Sequence, residues 1–194
     1  MTTIFFITHP EVVIDPSASI ERWHLSPRGI ARMRHFSALP MLSAVGAIWS
    51  STEAKAIEGA GILAGALGLG VRVCPGLGEN DRRATGFLPP VEFEVVANEF
   101  FAMPDISVRG WERAIDAQAR VKRAFEAIVA EHVAGDLAVV AHGAVGTLLY
   151  CGLSGQAISR AHDQPFQGHF WQATLPDLRP KSGWRPIAPR DLPE

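Results

Sequence analysis

Short apolar runs alternate with longer amphipathic stretches along most of this chain. The first run, residues 4–7, is β-branched and aromatic and stops at Thr8-His9-Pro10. Such runs, about four to eight residues long, are typical of strands buried on both faces. Further apolar runs predict strands at residues 45–49, 71–73, 137–141 and 169–175, with an edge segment near residues 184–187.

Apolar positions at helical spacing fill the gaps between these runs. Ser26 and Pro27 mark the start of one helix, as N-cap and first helical residue, and Thr52 is the predicted N-cap of the next, which stops at Gly68. The predicted helices cover residues 27–39, the stretch between Thr52 and Gly68, and residues 91–102, 111–132 and 144–153.

The order of these elements predicts an α/β fold. The chain opens as βαβαβ, which favours parallel pairing of the first three strands through right-handed crossovers. We therefore expect a three-layer sandwich, with a mostly parallel central sheet and helices on both faces.

This alternation breaks between residues 74 and 110, where glycine, proline and charged residues surround one helical segment. Long irregular stretches in compact domains are usually functional or disordered. We interpret residues 80–110 as a small cap insertion over the site, and the alternative is a surface excursion. We expect a single domain over residues 1–194. Four phenylalanines could pack the cap back on that domain: Phe87, Phe93, Phe100 and Phe101.

The composition disfavours a nucleic-acid-binding or membrane protein, but it does not indicate the chemistry of the chain. The chain has 194 residues, 47% hydrophobic and 20% charged, which is typical of a globular chain. A formal charge of -2 disfavours a broad nucleic-acid surface. No stretch approaches the roughly 20 apolar residues of a membrane span. We interpret Cys74 and Cys151 as buried thiols of a protein in a reducing compartment. We therefore expect a cytoplasmic protein with neither nucleic acid nor membrane as a partner.

Two of the predicted strands end in a histidine. His9 follows the first apolar run, and His142 follows the run at residues 137–141. Catalytic groups of open α/β sheets lie just beyond the carboxyl ends of the strands, so these two histidines are predicted to share a site. The other histidines are interpreted as packed or surface residues: His24, His35, His132, His162 and His169.

Short motifs in a fixed order give a resemblance to a known family. The chain resembles the histidine phosphatase superfamily, whose phosphoglycerate-mutase-like members open with a hydrophobic strand and Arg-His-Gly. The matching strings here are Thr8-His9-Pro10, Leu25-Ser26-Pro27-Arg28-Gly29, Ser50-Ser51-Thr52-Glu53-Ala54-Lys55-Ala56, Leu77-Gly78-Glu79 and His142-Gly143. Residues 79–110 are also similar to a divergent bacterial branch of that family. The resemblance implies a phosphoglycerate-mutase-like fold.

The resemblance also implies phosphoryl transfer through a phosphohistidine, without a metal or another cofactor. His9 would attack phosphorus with a neutral imidazole nitrogen, and His142 would donate to the phosphoryl oxygens. Glu79 would protonate the leaving oxygen and later take a proton from water. Ser51 and a backbone N–H at the helix start by Gly143 would add donors to the substrate.

Three positions depart from the family pattern. Thr8 replaces the arginine of the opening motif, Pro10 replaces its glycine, and Lys55 replaces a second arginine. A lysine ammonium group contacts phosphate as a point charge, whereas an arginine guanidinium group can donate two parallel hydrogen bonds to it. Losing one well-placed donor costs about 2.7–4 kcal/mol in the transition state. We interpret Thr8 and Lys55 as phosphate ligands in place of those arginines. Four arginines are candidate replacements: Arg82 and Arg83 first, then Arg28 and Arg109.

The residues leave three hypotheses open. The first is a metal-independent phosphatase with His9 as the nucleophile. Its ligand is a small phosphate ester or inorganic phosphate, and a homodimer is a further candidate assembly. The second is a degenerate, non-catalytic family member that binds a small anion or a protein partner. The third is a metal-dependent hydrolase that uses both histidines and Glu79, although the chain has no His-x-x-x-His motif.

Overall fold

A mixed sheet of six strands forms the centre of the computed structural model, which describes residues 2–192. The strands are β1 (Thr3–Thr8), β2 (Val45–Ser50), β3 (Val71–Val73), β4 (Asp136–Ala141), β5 (His169–Thr174) and β6 (Arg185–Pro186). Their order across the sheet is β3-β2-β4-β1-β5-β6. Neighbours from β3 to β1 pair in parallel, whereas β5 and β6 are antiparallel. The predicted α/β class with a mostly parallel sheet is confirmed.

Pairing of the first three strands differs from the prediction. β2 and β3 pair in parallel, but β4 lies between β1 and β2. Residues 137–141 of β4 are fully buried, as expected for a strand that is covered on both faces. The most apolar strands therefore take the centre of the sheet, and a strand distant in sequence separates the first two.

Five α-helices among residues 2–192 accompany the sheet: α1 (Pro27–Ser37), α2 (Ala54–Leu67), α3 (Pro90–Ala102), α4 (Ala114–Glu131) and α5 (Gly143–Ser154). Every predicted helix is present, with ends displaced by a few residues. Within the described range, none of these helices is both long and apolar enough to cross a membrane. Both cysteines are free thiols, with Cys151 buried and Cys74 only partly buried.

The two predicted N-caps have different outcomes. Ser26 accepts a hydrogen bond from the Gly29 amide at 3.1 Å, so the predicted start of α1 is confirmed. The prediction of Thr52 as the cap of α2 is wrong, because Glu53 occupies that position and its side chain makes no capping bond. Ser51 Oγ instead accepts from the Glu53 amide at 3.3 Å.

The sheet separates two hydrophobic cores. Ile4 and Phe6 of β1 pack in the core that α4 and α5 line, whereas Phe5 and Ile7 pack in the core that α1 and α2 line. None of the four side chains is more than 1% exposed. Successive strand residues point to opposite faces, so one unbroken apolar run serves both cores. The prediction of helices on both faces is confirmed.

Residues 74–113 connect β3 to α4 and contain α3. Phe100 and Phe101 of α3 are buried in the core that α4 and α5 line. Phe87 lies 5.9 Å from Trp23, measured between ring centroids. Burial of one such side chain contributes about 1.5–3 kcal/mol, so packing of aromatic rings holds this segment against the sheet layers.

Arg32 of α1 joins three segments near the carboxyl end of β1. Its side chain is fully buried, and Nη1 lies 2.8 Å from both carboxylate oxygens of Glu11 and from the Gln167 carbonyl. Nη2 donates to the carbonyls of Gly168 at 3.0 Å and Ala188 at 3.1 Å. The guanidinium therefore fixes the loop after β1, the loop before β5 and the C-terminal segment relative to one another.

Arg32→Leu is expected to lower the free energy of unfolding by about 3–5 kcal/mol, because the Glu11 carboxylate and three carbonyl groups lose their hydrogen-bond donor. Urea unfolding followed by circular dichroism measures this difference. Arg34→Leu, which changes an exposed arginine of the same helix, is the matched control and is expected to stay within about 0.5 kcal/mol of the wild type. Equal losses in the two variants would contradict the role of Arg32.

Candidate active site

The register between β1 and β4 brings His9 and His142 together. The ladder pairs Thr8 with Ala141, and the His9 amide extends it with a 3.0 Å bond to the Ala141 carbonyl. The two imidazole rings follow immediately, with centroids 5.2 Å apart and planes at 67°. His9 is 8% exposed and His142 is fully buried. The two histidines thus meet at the carboxyl edge of the sheet.

Hydrogen bonding and burial set the state of the His9 ring. Its Nδ1 lies 2.9 Å from the Pro10 carbonyl oxygen. A carbonyl can only accept, so Nδ1 carries the proton and Nε2 keeps its lone pair. Burial, followed by the nearby His142 and Lys55, lowers the pKa of His9 well below 6.5. The ring is therefore neutral near pH 7 and can act as a nucleophile through Nε2.

The second ring presents an unused nitrogen. His142 Nε2 lies 2.7 Å from Ser51 Oγ and 3.3 Å from Glu53 Oε1. His142 Nδ1 is buried and has no hydrogen-bond partner within residues 2–192. Ser51 Oγ already accepts from the Glu53 amide, so its hydroxyl proton can be donated to Nε2. In that tautomer Nδ1 carries the proton, but the ring is fully buried and His142 is not among the residues of the cavity wall described below. Burial, then Lys55, lowers the pKa of this histidine as well.

The Glu79 carboxylate is bonded to the first turn of α5, the helix that follows His142. Its Oε1 accepts from the Val145 amide at 3.1 Å and its Oε2 accepts from the Ala144 amide at 3.3 Å. Burial raises the pKa of Glu79, a trend that the charge of Arg82 opposes and that of Glu53 reinforces. The protonated carboxyl group is therefore populated at higher pH than for an exposed glutamate, which suits a proton donor.

Glu53 connects these groups, although it is not among the site residues predicted from the sequence. Its Oε2 lies 2.5 Å from Lys55 Nζ, which also donates to the Ile20 carbonyl at 2.8 Å. Its Oε1 accepts from the Glu79 amide at 2.8 Å. Lys55 is 3% exposed, so its ammonium group is held in the site but is already paired with a carboxylate. Only the place of Glu53 in the string from Ser50 to Ala56 could have drawn attention to it.

A cavity of about 340 Å³ contains the candidate site. Several predicted site residues line it: His9, Lys55, Glu79, Arg82 and Gly143. The Arg82 guanidinium lies 5.1 Å from the centroid of the Phe93 ring. The cavity wall also holds six polar residues that sequence reasoning missed: Asn80, Glu94, Arg160, Asp163, Gln164 and Gln167. Asn80 Nδ2 is buried and has no partner among the described residues, so it is a further donor at the wall.

Three predicted phosphate ligands, Thr8, Ser51 and Arg83, lie outside the cavity wall, as does the predicted donor His142. Ser51 is fully buried and its hydroxyl is bonded to His142 Nε2. Thr8 is fully buried, and its hydroxyl is used within the protein, accepting from the His169 amide at 2.9 Å and donating to Gln164 Oε1 at 2.6 Å. Arg83 lies on a neighbouring groove and pairs with Asp81 at the surface. Thr8 misses the cavity because it precedes His9 in a strand, where successive side chains point to opposite faces.

The two secondary arginine candidates also lie outside the cavity wall. Arg28 is exposed on α1. Arg109 pairs with Glu92, and both side chains are largely exposed. Of the four arginines considered as replacements, Arg82 is the one that lines the cavity with His9. Residues 2–192 contain no group of three or more histidine, cysteine or acidic side chains arranged to hold a metal ion.

This geometry agrees with the comparison with protein families. The model of the histidine phosphatase superfamily (branch 1) matches residues 20–169, well over half of the chain. The chain therefore belongs to the histidine phosphatase superfamily. A search of curated protein sequences gives no match.

Solved structures share the fold at low sequence identity. YhfR of Bacillus stearothermophilus is 19% identical, with a TM-score of 0.80 over 98% of this chain and 99% of that one. A mycobacterial glucosyl-3-phosphoglycerate phosphatase in complex with inorganic phosphate is 19% identical, with a TM-score of 0.76 over the full length of both chains (100% each). Phosphoserine phosphatase of Entamoeba histolytica, in complex with 3-phosphoglyceric acid, is 17% identical, with a TM-score of 0.76 over 95% and 98%. These likenesses establish the phosphoglycerate-mutase-like fold.

We expect both site histidines to protonate in the folded protein only well below pH 6.5, the ordinary value for histidine. The unfolded chain then binds more protons than the folded one as pH falls, so stability falls as well. The expected slope is up to about 1.4 kcal/mol per pH unit for each histidine. NMR titration of the ring carbons checks the protonation, and urea unfolding at several pH values checks the slope.

His142→Gln is expected to flatten that slope, whereas His35→Gln, at an exposed position of α1, is the matched control. A site ring that titrates at or above pH 6.5 would show that burial does not dominate its pKa.

Proposed function

We propose that this protein is a metal-independent phosphatase that acts on a small phosphate ester through a phosphohistidine at His9. The observation that carries the proposal is the pair of imidazole rings, 5.2 Å apart, of which His9 lines a cavity together with Glu79. Membership of the superfamily and the phosphatases among its structural neighbours support phosphatase chemistry in general.

The reaction requires two displacements at phosphorus. In the first, His9 Nε2 forms a bond to phosphorus as the ester P–O bond breaks, and the leaving oxygen takes the proton of the Glu79 carboxyl group. In the second, the Glu79 carboxylate takes a proton from water as the water oxygen attacks phosphorus and the P–N bond breaks. Inorganic phosphate leaves, and both residues return to their starting states.

Positive charge and hydrogen-bond donors must stabilise the phosphoryl oxygens in these steps. The cavity wall offers the ammonium group of Lys55 and the guanidinium group of Arg82, and the unpartnered Nδ1 of the buried His142 lies in the ring next to His9. The N-terminal end of α5, which follows His142, adds a favourable dipole.

The cavity dimensions favour a small substrate. A volume of about 340 Å³ accommodates a phosphoryl group and a modest leaving group. In this proposal residues 80–110 form a cap, because Arg82, Phe93, Phe100 and Phe101 of that segment line the cavity. A polar groove of about 920 Å³, which shares Glu79, Asn80 and Arg82 with the cavity, is available to a larger leaving group.

One observation favours a second function, the binding of a small anion without turnover. Lys55, which stands where the family has an arginine, is paired with Glu53 at 2.5 Å. A partly neutralised cation stabilises a developing negative charge less than a free guanidinium would. Such a protein would bind inorganic phosphate and release none from an ester.

Assays with an aryl phosphate, with and without a chelator, distinguish these functions. We expect release of inorganic phosphate that the chelator does not change and that His9→Ala abolishes, whereas His35→Ala, at an exposed position, retains it. Phosphate binding without hydrolysis would favour the anion-binding function. Activity that the chelator removes would favour a metal-dependent hydrolase.

The phosphohistidine itself can be trapped. A ³²P-labelled substrate, quenched with base during turnover, is expected to leave a label on the peptide that contains His9, stable in base and lost in acid. Label on another residue would overturn the assignment of the nucleophile.

Glu79→Gln is expected to slow hydrolysis of an alkyl phosphate much more than that of a nitrophenyl phosphate. An alkoxide needs a proton to leave, whereas nitrophenolate leaves without one. Loss of the acid is therefore expected to lower the rate of hydrolysis by about 10²–10⁴-fold for the alkyl phosphate only. Initial rates with the two substrates measure the difference. Equal losses for both would mean that Glu79 does not protonate the leaving oxygen.

A further inference from the structure

We propose that the Gln164 side-chain amide is an additional substrate-binding group of this site, which donates a hydrogen bond to a phosphoryl oxygen. Thr8 is then a positioning residue that holds the amide in place. The proposal rests on the proposed function for its substrate, but anion binding tests it independently of turnover.

The Thr8 hydroxyl determines how the Gln164 amide is oriented. Thr8 Oγ1 accepts from the His169 amide at 2.9 Å and lies 2.6 Å from Gln164 Oε1. A separation of 2.6 Å is typical of an O–H···O bond and short for an N–H···O bond. The His169 carbonyl, at 3.2 Å, is a second and longer acceptor for this hydroxyl. With Thr8 donating its proton to the nearer Oε1, Gln164 Nε2 is directed away from the strand.

Gln164 Nε2 lies at the start of α5. A Cβ built on Gly143 would be 2.5 Å from this nitrogen, so the amide occupies the space that a side chain at residue 143 would need. Gln164 and Gly143 both line the cavity that contains His9. Among residues 2–192 the structure gives Nε2 no acceptor, and the amide is therefore a free donor at the cavity wall.

The backbone of Gln164 is held as firmly as its side chain. Its amide donates to Asp163 Oδ1 at 2.8 Å, and the same oxygen accepts from the Thr147 hydroxyl of α5 at 2.8 Å. Bonds to β1 on one side and to α5 on the other fix the side chain before any ligand arrives. Preorganised donors of this kind are the ones that contribute most to transition-state stabilisation.

In this arrangement Thr8, the threonine of the opening motif, acts on the ligand indirectly, through Gln164. Thr8 is buried and cannot reach a ligand in the cavity itself. Through its hydroxyl it holds a donor from a loop distant in sequence at the wall of the cavity that His9 also lines. A neutral amide supplies a directed hydrogen bond without charge, and in the same cavity wall it adds to the cationic groups of Lys55 and Arg82.

Binding of inorganic phosphate, measured by calorimetry and by ³¹P NMR, tests the proposal directly. Gln164→Ala is expected to weaken binding by about 10-fold or more, the usual cost of losing a hydrogen bond to a charged group. Gln164→Glu keeps the shape but presents a carboxylate, and it is expected to weaken binding further. Gln156→Ala, which removes an exposed amide, is the matched control and is expected to leave binding unchanged.

Thr8 variants test the positioning role. Thr8→Val keeps the shape and removes the hydroxyl, so it is expected to weaken phosphate binding, whereas Thr8→Ser is expected to restore it. Combining Thr8→Val with Gln164→Ala is expected to cost no more than Gln164→Ala alone, because both changes remove the same donor. If Thr8 has only a structural role, Thr8→Val would lower the thermal stability and leave the affinity for phosphate unchanged. The stability losses of the two changes would then add.

The outcomes separate this inference from the proposed function. Wild-type affinity for phosphate in both Gln164 variants would overturn the inference, even if hydrolysis proceeds. Failure of the wild type to bind phosphate would overturn it as well. If the wild type binds phosphate but hydrolyses no ester, the phosphatase proposal fails while the binding series still decides the role of Gln164. If Thr8→Val does not fold, the Gln164 variants decide the matter, since that side chain lies on a loop.

Discussion

The parallel pairing of β1 with β4 is the constraint on which the rest of the site depends. Because the two strands end together at Thr8 and Ala141, the next residue of each chain segment must lie at the same edge. Both of those residues are histidines, and the peptide ladder continues one bond further, through the His9 amide. Side-chain contacts refine their geometry, but the backbone brings them together.

A continuous set of hydrogen bonds then organises the groups around the two rings. The Glu53 carboxylate is its centre, with one oxygen near His142 and the Glu79 amide and the other on Lys55. Burying a carboxylate this deeply is favourable only when donors surround it. The same carboxylate that pairs with Lys55 therefore also fixes the backbone of the candidate proton donor.

The sequence predicted most of the elements because short apolar runs and helical spacing are local signals. It did not predict the position of β4 between β1 and β2, since sheet order depends on which strand can be covered on both faces. It indicated His9, His142 and Glu79 as candidates from strand ends and motif order, and the two histidines do meet at one edge of the sheet. It missed Glu53 and Gln164, whose contacts join residues far apart in the chain, and it misplaced Thr8 because a sequence position does not give a side-chain direction.

The ion pair between Lys55 and Glu53 has a consequence for the end of a reaction cycle. An anion in this cavity competes with a carboxylate 2.5 Å from the ammonium group, so it gains less attraction than a free cation would offer. In the proposed phosphatase, this weaker attraction would reduce the affinity for the ester and for the product phosphate alike, so lower affinity for the substrate would be accompanied by faster release of the product.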